Sequence, residues 1–253
     1  LYLNVPKRIL GVIPARFASS RFPGKPLATI AGKTMLQHVY ERASQARYLT
    51  SVIVATDDDR IEAEVRRFGG MVRRTSADHP SGTDRVAEVA SADSSQLVVN
   101  IQGDEPLIDP YAIDAAILAM LDNPDIPMGT LSKRIERDED HRNPNVVKVV
   151  SDRNGDAIYF SRSPIPYIRE TGDRPSIVRY KHIGLYAYQR EFLLGYSDLP
   201  VGPLERAERL EQLRALENGY RIRVVETEYD SLGVDTPEDL ERVSQLFEVK
   251  PVG

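Results

Sequence analysis

The chain has 253 residues, a formal net charge of −5 and no cysteine. That length can bury a sizeable core, as one large domain or one domain with a lobe, and no apolar run reaches the roughly 18–20 residues that span a bilayer. Lack of cysteine excludes disulfides, thiolate metal sites and a cysteine nucleophile, and the acidic balance disfavours a grip on long nucleic acid, leaving a small anionic substrate that needs only a local basic cluster. The first residues carry no charged–apolar–small secretion pattern, so a cytoplasmic location without membrane insertion is expected.

In chain order, residues 8–13 (RILGVI) predict a first buried strand stopped by Pro14. Residues 34–46 carry apolar positions at helical spacing, with Thr34 as cap and His38 on the polar side. Residues 51–55 predict a second strand, and Asp57-Asp58-Asp59 opens a helix reaching about Phe68. A short strand over 71–75, a helix over 84–92 and a strand over 97–101 follow. Strands alternating with helices imply a Rossmann-like α/β fold, with a mostly parallel sheet and helices on both faces.

After a helix over 110–121 the alternation breaks. Residues 146–151 and 157–161 flank Asp152-Arg153-Asn154-Gly155-Asp156, which reads as a hairpin turn, and residues 180–188 alternate like an antiparallel strand. Residues 203–218 read as one helix closed by Gly219, residues 221–226 as a strand, and residues 236–247 as a last helix capped by Thr236 with Pro237 first. No repeat or Gly/Ser linker interrupts the chain. A single domain over 1–253 is expected, with 1–135 mainly a nucleotide-binding core, 136–202 a mixed α+β lobe and 203–253 a return to the core.

Three stations carry chemistry. Leu97–Pro106 (LVVNIQGDEP) runs from a buried strand into a turn. This places Asp104 past the strand's carboxyl end, where open α/β sheets bind ligands and where a carboxylate suits a hard cation; Asp104 and Glu105 as plain turn residues is the other reading. The loop Pro14–Pro26 (PARFASSRFPGKP) sets Arg16, Arg21 and Lys25 within ten residues of one another, a match for phosphate oxygens. Asp235, one residue before the last helix, is either a cap or a second carboxylate for the same cation. Ala31-Gly32-Lys33-Thr34 mimics the end of a phosphate loop, but Leu27 stands where that loop needs glycine. The dinucleotide fingerprint is absent after the first strand. The histidines show no zinc spacing, although His182 could line a pocket.

Pro14-Ala15-Arg16 followed by Arg21-Phe22-Pro23-Gly24-Lys25-Pro26-Leu27 resembles the opening signature of the CMP-sugar synthetase family of nucleotidyltransferases. Ser81-Gly82-Thr83-Asp84-Arg85, Gln102-Gly103-Asp104-Glu105-Pro106, Asn143-Pro144-Asn145, Tyr159-Phe160-Ser161-Arg162, His182-Ile183-Gly184, Leu210-Glu211-Gln212-Leu213-Arg214 and Gly233-Val234-Asp235-Thr236-Pro237 narrow the likeness to the branch acting on 3-deoxy-manno-octulosonate (Kdo). The resemblance implies transfer of CMP from CTP to the anomeric hydroxyl of this 3-deoxy-2-ulosonic acid, with release of pyrophosphate, for lipopolysaccharide synthesis. It implies that Ala15, Arg16, Arg21, Lys25, Arg74, Ser81, Gly82 and Gln102 bind CTP and that Asp104 and Asp235 bind Mg2+. Gln102, Arg162, His182, Tyr188, Glu211 and Gln212 would face the sugar acid, with Arg16, Lys25, Asp104 and Asp235 as the catalytic set and a homodimer as the assembly. The residues leave open a related acid (8-amino-Kdo or a sialic acid) and a non-catalytic nucleotide-binding regulator. Intact Arg16, Lys25, Asp104 and Asp235 speak against the latter.

Overall fold

The computed structural model describes residues 8–18, 22–169 and 177–249, and the chain divides into two compact units, residues 1–114 with 231–253 and residues 115–230. The first unit carries a parallel sheet. Strand β1 (Ile9–Ala15) pairs with β4 (Ser51–Thr56) on one side and with β6 (Leu97–Asn100) on the other, and β5 (Val72–Arg74) adds to β4. Leu10, Val12, Ile13, Val54, Val98 and Val99 are wholly buried, as strands covered on both faces require. Burying each such side chain contributes about 1.5–3 kcal/mol.

Pro14 does not stop the first strand: β1 continues to Ala15, with Pro14 opposite Ala55 and Ala15 opposite Thr56. Residues 12 and 14 turn their backbone groups toward β6, and Val12 there accepts from the Ile101 N–H (2.9 Å). The β6 ladder ends at Val12 opposite Asn100, so the N–H that Pro14 lacks has no partner to lose.

The helices of this unit begin where side chains can satisfy their amino ends. Helix α1 (Met35–Ala43) is capped by Thr34, α2 (Asp59–Arg67) by Asp58, and α3 (Gly82–Ser91) by a reciprocal Ser81/Asp84 capping box. Strands β2 (Thr29–Ile30) and β3 (Lys33–Thr34) form a two-residue hairpin around Ala31-Gly32, which accounts for the phosphate-loop look-alike. His38 lies inward, not on a polar face. It is 8% exposed, with Nε2 2.8 Å from the Ile30 carbonyl and its ring 4.4 Å from that of Phe247 in the last helix (Pro237–Val249). Val243 of that helix is buried with Ile30, Met35 and Val234, which docks the helix onto this unit.

Helix α4 (Pro110–Asp122) carries the chain into the second unit. There β7 (Met128–Arg134) is followed by α5 (Asp138–Arg142), the hairpin β8 (Lys148–Ser151) with β9 (Ala157–Ser161), β10 (Tyr180–Gln189) and α6 (Arg190–Leu194). Helices α7 (Pro203–Glu208) and α8 (Leu213–Glu217) and strand β11 (Ile222–Glu226) complete it. The sheet is mixed: β11 runs parallel to β7, while β10 is antiparallel to β7 and β8. The alternation over 180–188 is thus an antiparallel strand, with a bulge between Ile183 and Tyr186.

Strand β7 has no counterpart in the sequence reading, because Gly129, Thr130 and Ser132 break its apolar pattern. A side chain on Gly129 would meet Met120 Sδ at 2.7 Å, and buried Thr130 donates its hydroxyl to the carbonyls of the bulge, Leu185 (2.9 Å) and Ile183 (3.1 Å). The single helix expected over 203–218 is also broken in two. Arg209 adopts φ 52°, ψ 49°, a left-handed conformation that costs about 1 kcal/mol or more in a non-glycine residue. The break lets the Glu217 carboxylate accept from Leu204 N (2.8 Å) and Glu205 N (3.0 Å), while Arg214 grips Glu205 through two nitrogens (2.7 and 2.9 Å). An unbroken helix would hold Glu217 roughly 20 Å from the end it caps.

Candidate active site

Asp104 follows β6 in the turn Gln102-Gly103, and Gly103 is required there because a Cβ would sit 3.0 Å from the Pro14 carbonyl. The Asp104 carbonyl accepts from Val234 N (2.9 Å), which brings the segment before the last helix alongside. Asp235 N and Thr236 N both donate to Asp239 Oδ2 (3.1 Å each), fixing the Asp235 backbone. Burial opposes ionisation of Asp239, yet these bonds hold its pKa below the usual carboxylate value. Glu105 is buried and accepts from Ser231 Oγ.

The two carboxylates separated by 131 residues of sequence converge on one ammonium. Lys25 Nζ lies 2.7 Å from Asp104 Oδ2 and 3.1 Å from Asp235 Oδ1. A single cation touches both, so the spacing suits a shared cation of higher charge. The donors are hard oxygens, and Asp104 and Asp235 keep 31% and 46% of their side-chain surface open to solvent. Among the described residues no cluster of three or more acidic, histidine or cysteine side chains could hold a metal. Two carboxylates alone would leave a hard divalent ion in need of further oxygen ligands from outside the protein.

Pro14, Arg16, Lys25, Gly82, Gln102 and Asp104 line a cleft of about 460 Å³, in which Ala15 also takes part. Gly82 is the first residue of α3, so the positive end of that helix opens onto the cleft beside the Arg16 and Lys25 cations. The Ser81 hydroxyl is held by Asp84 in the capping box (2.7 Å). Phe17 braces this loop: its carbonyl accepts from Gly24 N (2.9 Å) and its ring stacks under the Arg60 guanidinium. Arg85, one turn into α3, is wholly buried. Desolvation pushes its pKa down, opposed by Asp57 (3.0 Å) and helped by the nearby Arg16 charge. Arg74 is engaged with Asp59 (2.6 Å) and Glu62 (3.6 Å) on α2, and it does not line the cleft. Arg21 lies outside the described residues.

In the second unit, rings run from Phe160 through His182 (5.0 Å) to Tyr186 (5.4 Å), Tyr188 (6.0 Å) and Tyr196 (6.2 Å). The Tyr196 hydroxyl donates to the Glu211 carbonyl (2.7 Å). Tyr188 is 2% exposed and stacked on Phe192, a core position. Gln212 is buried, and its Nε2 has no hydrogen-bond partner among the described residues, an unsatisfied donor waiting for an acceptor. Tyr186, absent from the sequence reading, lies beside Glu211. Burial, with the Tyr196 and Glu211 charges, raises its pKa far above the usual value, so it stays a phenol and a donor. Its signal was its even spacing from His182 along the strand. A second cleft, about 290 Å³ beside α5, contains the Arg179–Asp138 pair (2.8 Å) and none of the expected residues.

Burial lowers the His182 pKa to about 3. Thr130 gives its one proton to a carbonyl, so the 2.8 Å contact to His182 Nε2 has the imidazole donating to Thr130 Oγ1. Because the folded pKa lies below the unfolded value near 6.5, this term is fully present above about pH 6.5 and is lost as pH falls toward 3, at about 1.4 kcal/mol per pH unit. In urea titrations from pH 7 to 4, His182→Asn is expected to lose stability less steeply than the parent; equal slopes would contradict a neutral, buried His182.

A profile described as cytidylyltransferase matches residues 10–222. The chain belongs to the cytidylyltransferase family, within the nucleotidyltransferases. It is similar to 3-deoxy-manno-octulosonate cytidylyltransferases: 70% identical to that of Solibacter usitatus, over 96% of both chains, and 60% to that of Syntrophotalea carbinolica, over 93% of this chain and 96% of the relative. A solved structure of CMP:2-keto-3-deoxy-manno-octonic acid synthetase complexed with CTP superposes with a TM-score of 0.91 at 46% identity, covering 96% of this chain and 99% of that one. A cytidylyltransferase from Leptospira borgpetersenii shares the fold alone, with a TM-score of 0.64 at 19% identity, covering 97% of this chain and 89% of that one.

Proposed function

We propose that the protein activates Kdo: it transfers CMP from CTP to the sugar's anomeric hydroxyl, giving CMP-Kdo and pyrophosphate for lipopolysaccharide synthesis. The observation that carries this reading is the convergence of Asp104 and Asp235 on Lys25 Nζ in a cleft that also holds Arg16. The relatives' shared activity supports it.

Arg16, Lys25 and the amino end of α3 bind the triphosphate, joined by Arg21, and Gln102 and Ser81 contribute nearer the nucleoside, whereas Arg74 stays with the carboxylates of α2. Asp104 and Asp235 hold Mg2+, which supplies charge neutralisation on phosphate oxygens and acidifies a neighbouring hydroxyl. Arg162, His182, Glu211 and Gln212 orient the acid, His182 as a neutral donor and Gln212 through its open amide, while the core residue Tyr188, expected there from sequence, backs the ring row behind His182 and Tyr186. The anomeric oxygen forms a bond to the α-phosphorus as the bond to pyrophosphate breaks opposite, and Arg16 and Lys25 steady the charge that gathers on the leaving group. The sugar hydroxyl's proton passes to solvent, and no histidine base is needed.

A homodimer formed through the second unit is part of this reading, supported by exposed Ile158 (61%) and Tyr167 (86%), and a cytoplasmic site suits substrates made there. No described helix is long and apolar enough to cross a membrane. The test is pyrophosphate release. It is expected with CTP, Mg2+ and Kdo together and with neither substrate alone, and Kdo should outpace 8-amino-Kdo and sialic acid. Release that ignores the acid, or a faster rate with either analogue, would contradict the assignment.

A further inference from the structure

Lys148 is a fully buried lysine that lies outside the residues assigned to the reaction. Its ammonium donates to three main-chain carbonyls: Val146 (2.6 Å), Asn143 (2.9 Å) and Arg162 (2.5 Å). An ammonium out of water is costly unless its protons are all met, and here three acceptors meet all three. Glu208, at the broken end of α7, treats the same neighbour in the complementary way. Its carboxylate accepts from Ser161 Oγ (2.6 Å) and Arg162 N (2.9 Å). Both backbone polar groups of Arg162 therefore end on charged side chains.

The Arg162 guanidinium is fixed as well. Nε donates to the Glu208 carbonyl (2.7 Å) and Nη1 to the Pro144 carbonyl (3.0 Å), the latter in the turn that Lys148 itself ties down through Asn143 and Val146. Nη2 has no partner among the described residues. Four anchors on one half-buried arginine, with one edge of its fork left over, exceed what packing asks. They are what a preorganised carboxylate receptor needs, since a fork held in place loses little freedom on binding. The left-handed residue Arg209 follows directly after this carbonyl.

We propose that Lys148 and Glu208 are positioning residues for Arg162, holding its open guanidinium edge for the carboxylate of the sugar-acid substrate. This rests on the assignment of Arg162 to the sugar acid made above. The test is steady-state kinetics on K148M, E208A, E208Q and R162A and on the K148M/R162A and E208A/R162A pairs, with folding followed by circular dichroism. K148M and E208A are expected to raise KM for the sugar acid about ten-fold while KM for CTP stays within about two-fold, and E208Q, which keeps an acceptor, recovers part of the loss. In the R162A background either change adds less than about two-fold, because a positioning residue has nothing left to position. Equal rises in both KM values, or a full effect without Arg162, would overturn the proposal. An unchanged KM in R162A would overturn the assignment of Arg162 and the proposal with it. R162A impaired but K148M and E208A normal would overturn the positioning alone. If K148M does not fold, E208A and E208Q decide.

Discussion

Asp104→Asn is expected to lower turnover about a thousand-fold and to leave the fold intact. The loss corresponds to about 4 kcal/mol of transition-state stabilisation, the scale of removing one preorganised electrostatic element from a phosphoryl-type transfer. Structure survives because Asp104 anchors its loop through the backbone: its carbonyl holds Val234 N, while Gly103 packs on Pro14 and Glu105 on Ser231. The side chain itself contributes only a half-open contact to Lys25. Melting should therefore move by no more than a few degrees. Stopped-flow detection of pyrophosphate, beside a melting curve, checks both halves. A near-parental rate at saturating Mg2+ would remove Asp104 from the chemistry.

Lys25→Met is the second large effect, and it has opposite signs in two experiments. Without the ammonium, Asp104 and Asp235 lose the positive charge they share, and the triphosphate loses a cation. kcat/KM for CTP should fall by about two orders of magnitude. Binding of Mn2+ in the absence of nucleotide should instead tighten, because Lys25 no longer competes for the same two oxygens at 2.7 and 3.1 Å. Weaker Mn2+ binding in the variant would mean that the ammonium and the metal occupy separate places.

The parts of the fold legible in the sequence were those with one dominant cause. Strand β6 reads LVVN and is buried on both faces, and the last helix announces itself through Thr236 and Pro237. The parts that escaped depend on partners far away in sequence. Strand β7 is written with Gly129 and Thr130 because Met120 fills the space of one and the bulge carbonyls need the other. The helical pattern over 203–218 is real in each half, but Glu217 capping α7 and Arg214 gripping Glu205 favour a break that no local rule foretells. Pro14 was misjudged because strand pairing, not proline itself, sets where the missing N–H matters.

The candidate site shows the same division. Arg16, Lys25, Asp104 and Asp235 were singled out by their places past a strand end, in a basic loop and before a helix, and by the family resemblance, since an aspartate at a turn or helix cap is common by itself. That Lys25 stands between the carboxylates could not be read this way, since it depends on the Val234–Asp104 backbone bond. Tyr186, Lys148 and Glu208 were hidden by ordinary positions in a strand or helix, and only burial and partners reveal them.

The account stands on two distant carboxylates holding one divalent cation. Electron paramagnetic resonance of free Mn2+, titrated into protein with CTP, measures that directly in the parent, D104N, D235N and the double variant. Each single change should remove most of the affinity and the double should add little further, since the pair acts as a unit. Parental Mn2+ affinity in either single variant, or two independent losses that simply add, would contradict a shared ion.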